Sequence, residues 1–393
     1  MKNVVGQPAR GNDFFPRPKE IEKIKRSLGA GSNLQIAAPR RVGKTSILMY
    51  FVDNAQKDSI FIYVDVEATK SENDFYRRLY EGILKSDALT KGTKLIKQLA
   101  DSGNTFLKRI KSISVTQGTI ELAENAESNY YDDFTNLVKG IDLDGKRLVL
   151  LIDEFPYAIN NLIKGPDFEA ARNLLKSKRT IRQDPVLNQK ILFVYTGSIS
   201  LNATVEQIRS SELVNDIASV AISPLTSEET KELIKQLAST DGISITDDGI
   251  AYVIEKLKWL IPFHIQLFIK ELYDLAPEKG KEVTNEQINS AFDAIVEFRN
   301  NNYFEHYASR LSKLYKDFDY HFAKDVLNMI ADKDVASKNE IINLASKYNL
   351  ENDYNKIIQS LVYDGYIFSD VDGKLFRFNS AILKMWWKKY VSQ

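Results

Sequence analysis

The chain of 393 residues contains no cysteine. That excludes disulfides, thiolate metal sites and a cysteine nucleophile, and it fits a cytoplasmic protein. Histidine is almost as scarce: His264, His306 and His321 are the only 3, too far apart in sequence to suggest a zinc site. Net charge is missing as well. The 53 basic residues balance 53 acidic ones, so no chain-wide electrostatic footprint points to nucleic acid or anionic lipid. Long apolar runs are also lacking. The longest, residues 259–269, is broken by Pro262, His264 and Gln266 and is too short to span a bilayer. Residues 1–12 are polar and hold no signal core. The expectation is a cytoplasmic protein with no membrane partner.

What is present describes a soluble globular chain: 44% hydrophobic and 27% charged residues. Roughly one domain per 150 residues predicts two or three domains. In the first half, short apolar runs alternate with helical patterns. Strands are expected at 34–38, 60–66, 148–152 and 191–195, with a short one at 220–222. Runs of this kind suit a parallel sheet covered on both faces, and the alternation predicts a three-layer α/β domain. Residues 109–122 alternate around Gln117-Gly118 and read as an inserted hairpin. After Pro224 the strands stop. Thr226-Ser-Glu-Glu229 and Thr284-Asn-Glu-Gln287 are capping boxes and Thr246 is a further cap, so 225–300 reads as an all-α segment. From 301 the pattern is helix, helix, helix, then two short strands around Val371-Asp-Gly373, a hairpin signal. That is the order of a winged helix.

Two motifs carry chemistry. Ala38-Pro-Arg-Arg-Val-Gly-Lys-Thr45 lies between a buried strand and a helix, the context a P-loop needs. The loop from Pro39 through Arg40, Arg41, Val42 and Gly43 to Ser46 would cradle phosphates at a helix N-terminus, with backbone N–H groups donated from Arg40 onward because proline has none. Lys44 would reach the β- and γ-phosphates, and the Thr45 hydroxyl would ligate Mg²⁺. Ala38 stands where the motif usually has its first glycine, and alanine resists positive φ. The second motif is the apolar run 148–152 ending in Asp153-Glu154. A buried strand that delivers two carboxylates at its C-terminal tip is a Walker B arrangement. Asp153 would serve the metal by accepting a hydrogen bond from a Mg²⁺-bound water, and Glu154 would polarise the attacking water as general base. Thr196, at the tip of the next strand in sequence, is a candidate for orienting water; the alternative is an ordinary turn. Arg179, Arg182 and Arg209 are candidate arginine fingers, and each could equally be a surface charge.

The pieces Gly11-Asn-Asp-Phe-Phe-Pro-Arg17, Ala38-Pro-Arg-Arg-Val-Gly-Lys-Thr-Ser46, Leu151-Ile-Asp-Glu-Phe155, Thr196-Gly-Ser-Ile199 and Ser223-Pro-Leu225, in that order, resemble the prokaryotic archaeal-type ATPases. These are AAA+-related and grouped with the STAND signal-transduction NTPases. The resemblance implies an AAA+/RecA-like P-loop core over 1–224, a helical lid over 225–300 and a winged-helix domain over 301–393. It also implies that the segment holding Phe15 and Arg17 lines an adenine pocket. Ser223-Pro-Leu225 would be a hinge, and His264 a γ-phosphate sensor; the alternative for His264 is a packed or surface ring.

The resulting expectation is a slow or partner-stimulated ATPase, an ATP/ADP switch with Mg²⁺ as cofactor, an unidentified protein partner and the capacity to oligomerise. The alternative is a DNA-associated ATPase or transcription regulator. Against it, residues 320–393 carry 10 basic and 9 acidic residues, and Lys356 is the one basic residue on the expected reading helix. The tail around Trp386-Trp387 reads as a packed amphipathic helix, or alternatively as a base-stacking surface. A metabolic kinase fits less well, because such enzymes do not need the Asp-Glu pair.

Overall fold

The computed structural model describes residues 1–54, 56–86, 110–114, 119–122, 129–163, 167–197, 200–276, 281–370 and 372–392. The chain divides into two compact units. Pro16–Ala37 and Lys44–Ile222 form the sheet unit; Met1–Phe15, Ala38–Gly43 and Ser223–Gln393 form the helical unit.

The sheet unit contains β1 (Asn33–Ala37), β2 (Ser59–Asp65), β3 (Ile110–Ser114), β4 (Thr119–Leu122), β5 (Arg147–Asp153), β6 (Ile191–Thr196) and β7 (Ile217–Ala221). Five of them make one sheet in the order β2-β5-β6-β1-β7, with every pairing parallel. Burial follows position. All six residues of β6 are buried, as are six of the seven in β5, whereas edge strand β7 has two buried and three exposed positions. Helices on both faces explain why the central strands read as unbroken apolar runs. β3 and β4 pair antiparallel, as the expected hairpin requires; its turn, Gln117-Gly118, lies outside the described residues.

Leu148, Val149, Leu150, Leu151 and Ile152 are each 0% exposed. At roughly 1.5–3 kcal/mol per fully buried apolar side chain, they outweigh the cost of burying one hydrogen-bonded carboxylate. The apolar run thereby fixes Asp153 at the carboxyl end of the sheet.

In the helical unit, the helices Ser227–Asp241, Asp247–Leu257, Pro262–Leu275 and Asn285–Ile295 come first. Thr226/Glu229 and Thr284/Gln287 form full capping boxes, and the Thr246 hydroxyl accepts from the Gly249 N–H. Each supplies partners that helix N-termini otherwise lack. Next come the helices Glu305–Leu314 and Asp317–Lys333, then β8 (Ala336–Ser337), the helices Lys338–Lys347 and Tyr354–Tyr363, β9 (Ile367–Ser369), β10 (Leu375–Phe378) and the helix Ala381–Tyr390. These three strands form an antiparallel sheet in the order β8-β10-β9. Asp370 accepts the N–H groups of Lys374 and Leu375 in the turn between β9 and β10.

The tail does not present its tryptophans for base stacking. Trp386 is 2% exposed and Trp387 0%. Their indole N–H groups donate to Asn301 and Asn328 at 2.8 and 2.9 Å, so they are core residues with satisfied polar edges. Among the described residues, no helix is long and apolar enough to cross a membrane.

Candidate nucleotide-binding site

The carboxyl end of the parallel sheet is organised around Asp153, which is 5% exposed. Its Oδ2 accepts from the Thr45 hydroxyl at 2.9 Å and from the Tyr63 hydroxyl at 3.1 Å. Its Oδ1 accepts from the Thr196 hydroxyl and, at 3.1 Å, from the Glu154 N–H. The strand order explains the meeting. β6 lies between β1 and β5, so the tip of β6 delivers Thr196 between the strand that precedes the phosphate loop and the strand that bears the carboxylates. Register completes it, with Ile36 level with Thr196 and Ile152 level with Tyr195.

Tyr63 is the residue that sequence reasoning missed. It sits on β2 level with Leu151, and Asp65 sits level with Asp153. Burial, followed by the charge of Asp153, pushes the Tyr63 phenol far up, so it stays a donor at every physiological pH. The run IFIYVDV announces the strand, but nothing local announces which residue of β5 it faces.

Glu154 is half-buried and sits at φ 59°, in the left-handed region. Such a backbone costs a non-glycine residue about 1–3 kcal/mol and clusters at functional sites. Here it turns the chain from β5 straight into the helix Phe155–Asn161. Lys44 opens the helix Lys44–Asp53 and is 8% exposed; Thr45 and Ser46 follow, both half-buried.

Ala38–Gly43 belongs to the helical unit. Ala38 is 3% exposed and is not left-handed; the positive φ values fall at Arg41 (64°) and Gly43 (97°). The missing first glycine is therefore harmless here, because the position does not need its freedom. A Cβ added at Gly43 would meet nothing within 4 Å, so the loop is open on that side. Val42 is 1% exposed, while Pro39 and Arg40 are half-buried.

Other candidates are placed elsewhere. His264 is 1% exposed, with Nδ1 3.3 Å from the Ser380 hydroxyl and its ring edge-on to Trp259. Burial, helped by the charge of Arg41, pushes its pKa down to about 3, so the ring is neutral. This is the packed environment that was the alternative to a phosphate sensor. Phe15 is half-buried in the helical unit; Arg17, in the sheet unit, is 4% exposed and pairs with Glu20 at 2.6 Å. Arg182 is not poised as a finger: its side chain is 0% exposed and bonds Asp216 at 2.7 and 2.8 Å and the Leu213 carbonyl at 2.6 Å. Arg179 donates to the Glu212 carbonyl, and Arg209 takes φ 50°.

The donor set suits Mg²⁺ bound with a nucleotide. Among the described residues, no cluster of three or more His, Cys, Asp or Glu could hold a metal alone. One hydroxyl and one carboxylate, Thr45 and Asp153, are the protein ligands expected when phosphates and waters fill the remaining positions.

A five-stranded parallel sheet of this order, a glycine-lysine-threonine loop and an acidic pair one strand removed define a P-loop α/β protein. The family model described as an ATPase domain predominantly from Archaea matches residues 14–251, more than half of the chain. The chain belongs to that family. Among curated relatives, an uncharacterised ATP-binding protein of Pyrococcus abyssi is 26% identical over 145 residues. That match spans 36% of this chain and 42% of the relative, less than half of its length. Among solved structures, the Walker-type ATPase of Pyrococcus abyssi superposes with a TM-score of 0.67 at 16% identity, over 99% of this chain and 100% of that one. The ORC2 protein of Aeropyrum pernix, in complexes with ADPNP and ADP, gives 0.55 at 14% identity, over 98% and 93%. At such identities these two likenesses concern the fold.

Proposed function

We propose that this protein binds ATP·Mg²⁺ on the loop leading into Lys44 and Thr45, and hydrolyses it slowly as a conformational switch read by a protein partner in the cytoplasm. The observation that carries the reading is the bond between the Thr45 hydroxyl and Asp153, two residues remote in sequence whose joint use is magnesium ligation beside a triphosphate. Lys44 and the N–H groups of residues 40–46 hold phosphate oxygens, and Pro39 shapes the start of the loop. Bound Mg²⁺ would neutralise phosphate charge. Thr45 and Asp153 would hold the ion, Glu154 takes the proton of the attacking water, and Thr196 orients that water. Phe15 and Arg17 are proposed to contact the base; a role for His264 would require its Ser380 contact to open.

The division into a core over 1–224, a lid over 225–300 and a winged helix over 301–393 is part of the same proposal. The helix, strand, helix, helix, hairpin order of the last segment supports it. A strongly populated closed state would make turnover slow and partner-dependent.

The test measures binding of ATP with Mg²⁺ and single-turnover hydrolysis. Lys44→Ala is expected to abolish binding. Glu154→Gln is expected to retain ATP while hydrolysis falls by about 10²–10⁴-fold. A wild-type protein that fails to bind ATP in the presence of Mg²⁺ ends the proposal.

A second reading, a DNA-associated ATPase, draws on the exposed Asn355, Lys356 and Gln359 of the helix Tyr354–Tyr363. Duplex binding that weakens steeply with salt would favour it; no binding at low salt would remove it.

A further inference from the structure

The loop Ala38–Gly43 contains two left-handed residues, and one of them is not glycine. Backbone that alternates in handedness turns successive N–H groups into one concavity, an anion nest. Gly43 adopts the required φ without cost; Arg41 does not. The side chain of Arg41 supplies the compensation. Its guanidinium carbon lies 3.9 Å from the centroid of the Phe263 ring, and Nη2 stands 3.5 Å from His306 Nδ1. Arginine has only donors, so His306 accepts on Nδ1. Tyr303, Tyr307 and the like charge of Arg40 also lie near the guanidinium. The same loop is held at Pro39. A Cβ on Gly365 would stand 3.1 Å from Pro39 Cβ and 2.8 Å from the Trp259 ring, so only glycine at 365 lets the loop and the tryptophan lie where they do. Phe263 opens the helix Pro262–Leu275, and His306 lies on the helix Glu305–Leu314.

We propose that Arg41 is a positioning residue: Phe263 and His306 grip its side chain and hold the phosphate loop in its left-handed, phosphate-binding form, and bound nucleotide in turn tightens the two helices that carry them. The second half follows from the first, because coupling between two binding events is reciprocal. Preorganising the loop removes an ordering cost from phosphate binding. The proposal rests on the reading of this loop as a phosphate site and adds how that site is shaped and read.

The experiment uses the full chain. ADP affinity is measured by calorimetry for the wild type, Arg41→Ala, Phe263→Leu and Arg41→Gly. Amide exchange over 262–275 and 305–314 is followed with and without ADP. Arg41→Ala should bind about ten-fold more weakly, since alanine keeps the left-handed penalty and loses the grip. Phe263→Leu should move the same way by a smaller factor. Arg41→Gly should bind more tightly than Arg41→Ala, because glycine takes the conformation unaided, yet ADP should no longer slow exchange in the two helices. A merely structural arginine would not separate these two readouts. Arg41→Gly binding no better than Arg41→Ala, or retaining the ADP-dependent slowing, overturns the proposal. So does unchanged affinity in both Arg41→Ala and Phe263→Leu. A wild-type chain that binds no nucleotide overturns the phosphate-site reading instead, so the two failures are distinguishable. If Arg41→Ala does not fold, Arg41→Gly and Phe263→Leu decide the question through exchange alone.

Discussion

Asp153 and Lys178 are two of the buried charge-bearing side chains of the sheet unit, and their regions treat them in opposite ways. At the carboxyl end of the sheet, Asp153 receives three hydroxyl groups and one N–H. On the inner face of the helix Glu169–Gln183, Lys178 is 0% exposed and its Nζ has no hydrogen-bond partner among the described residues. Lys178 lies instead among rings, with Nζ 3.2 Å from the Phe193 centroid and within 6.0 Å of those of Phe75, Phe134 and Tyr195. The difference teaches which buried charges to read as functional. The partners of Asp153 are one N–H and three hydroxyls, and a hydroxyl can rotate to another acceptor. The partners of Lys178 are core aromatics that cannot be exchanged without unpacking the domain. Burial alone does not mark a site; exchangeable partners do.

The largest test of this contrast is Asp153→Asn. The amide keeps the shape and one acceptor, so the fold should survive, with a stability change near 1 kcal/mol. ATP hydrolysis should fall by about 10²–10³-fold, the scale of removing one electrostatic element from a preorganised site. Phosphate release under saturating ATP and Mg²⁺ measures the first effect and urea unfolding the second. Near-normal hydrolysis would reduce Asp153 to a structural carboxylate and erase the comparison.

Lys178→Met probes the other side, and the sign should reverse. A desolvated cation over an aromatic face gains about 2 kcal/mol or somewhat more, whereas desolvating an unpaired ammonium costs several. Replacement by an apolar side chain of similar length should therefore stabilise the chain by about 1–3 kcal/mol, with hydrolysis unchanged. Burial, followed by the neighbouring charge of Arg182, pushes the Lys178 pKa well below its ordinary 10.5. Between the lowered and the ordinary value the unfolded chain binds a proton that the folded one does not. Stability from this group therefore rises with pH across that window and is lowest below it. Unfolding midpoints of the wild type should climb with alkaline pH relative to those of Lys178→Met. Parallel pH profiles would break the prediction.

How much of this was legible in the sequence depends on how local each signal is. β5 and β6 declare themselves because burial on both faces leaves an uninterrupted apolar run. Thr45 and Asp153 declare themselves because strand, loop and helix succeed one another within a few residues. Lys178 was legible but not read. Counting by helical turns along 169–183 places it on the face of Ala171, Leu174, Leu175 and Ile181, all 0% exposed, and that face could have been recognised as inward before any coordinates existed. The same count would have removed Arg182 from the candidate fingers. Arg41 was not legible as a left-handed residue, because its conformation is set by Phe263 and His306, far away in the chain.

Tyr63 was hidden for a related reason. Its partner is fixed by the register of β2 against β5, which no local pattern reveals, and it provides the smallest test of the comparison. Tyr63→Phe removes one of the hydroxyls on Asp153 and leaves the ring's packing in place. If the cluster is an exchangeable shell, the other three donors remain and a water can take the vacated position. The loss should then be that of one hydrogen bond, about 0.5–1.5 kcal/mol in urea unfolding, with hydrolysis changed by less than about ten-fold. If the cluster is instead a locked structural network like the packing around Lys178, removing one member would cost more than a single bond. Tyr63→Phe and Thr196→Val would then be strongly non-additive in a double-mutant cycle. A coupling energy near zero supports the exchangeable shell; one above about 2 kcal/mol would place Asp153 and Lys178 in the same class after all.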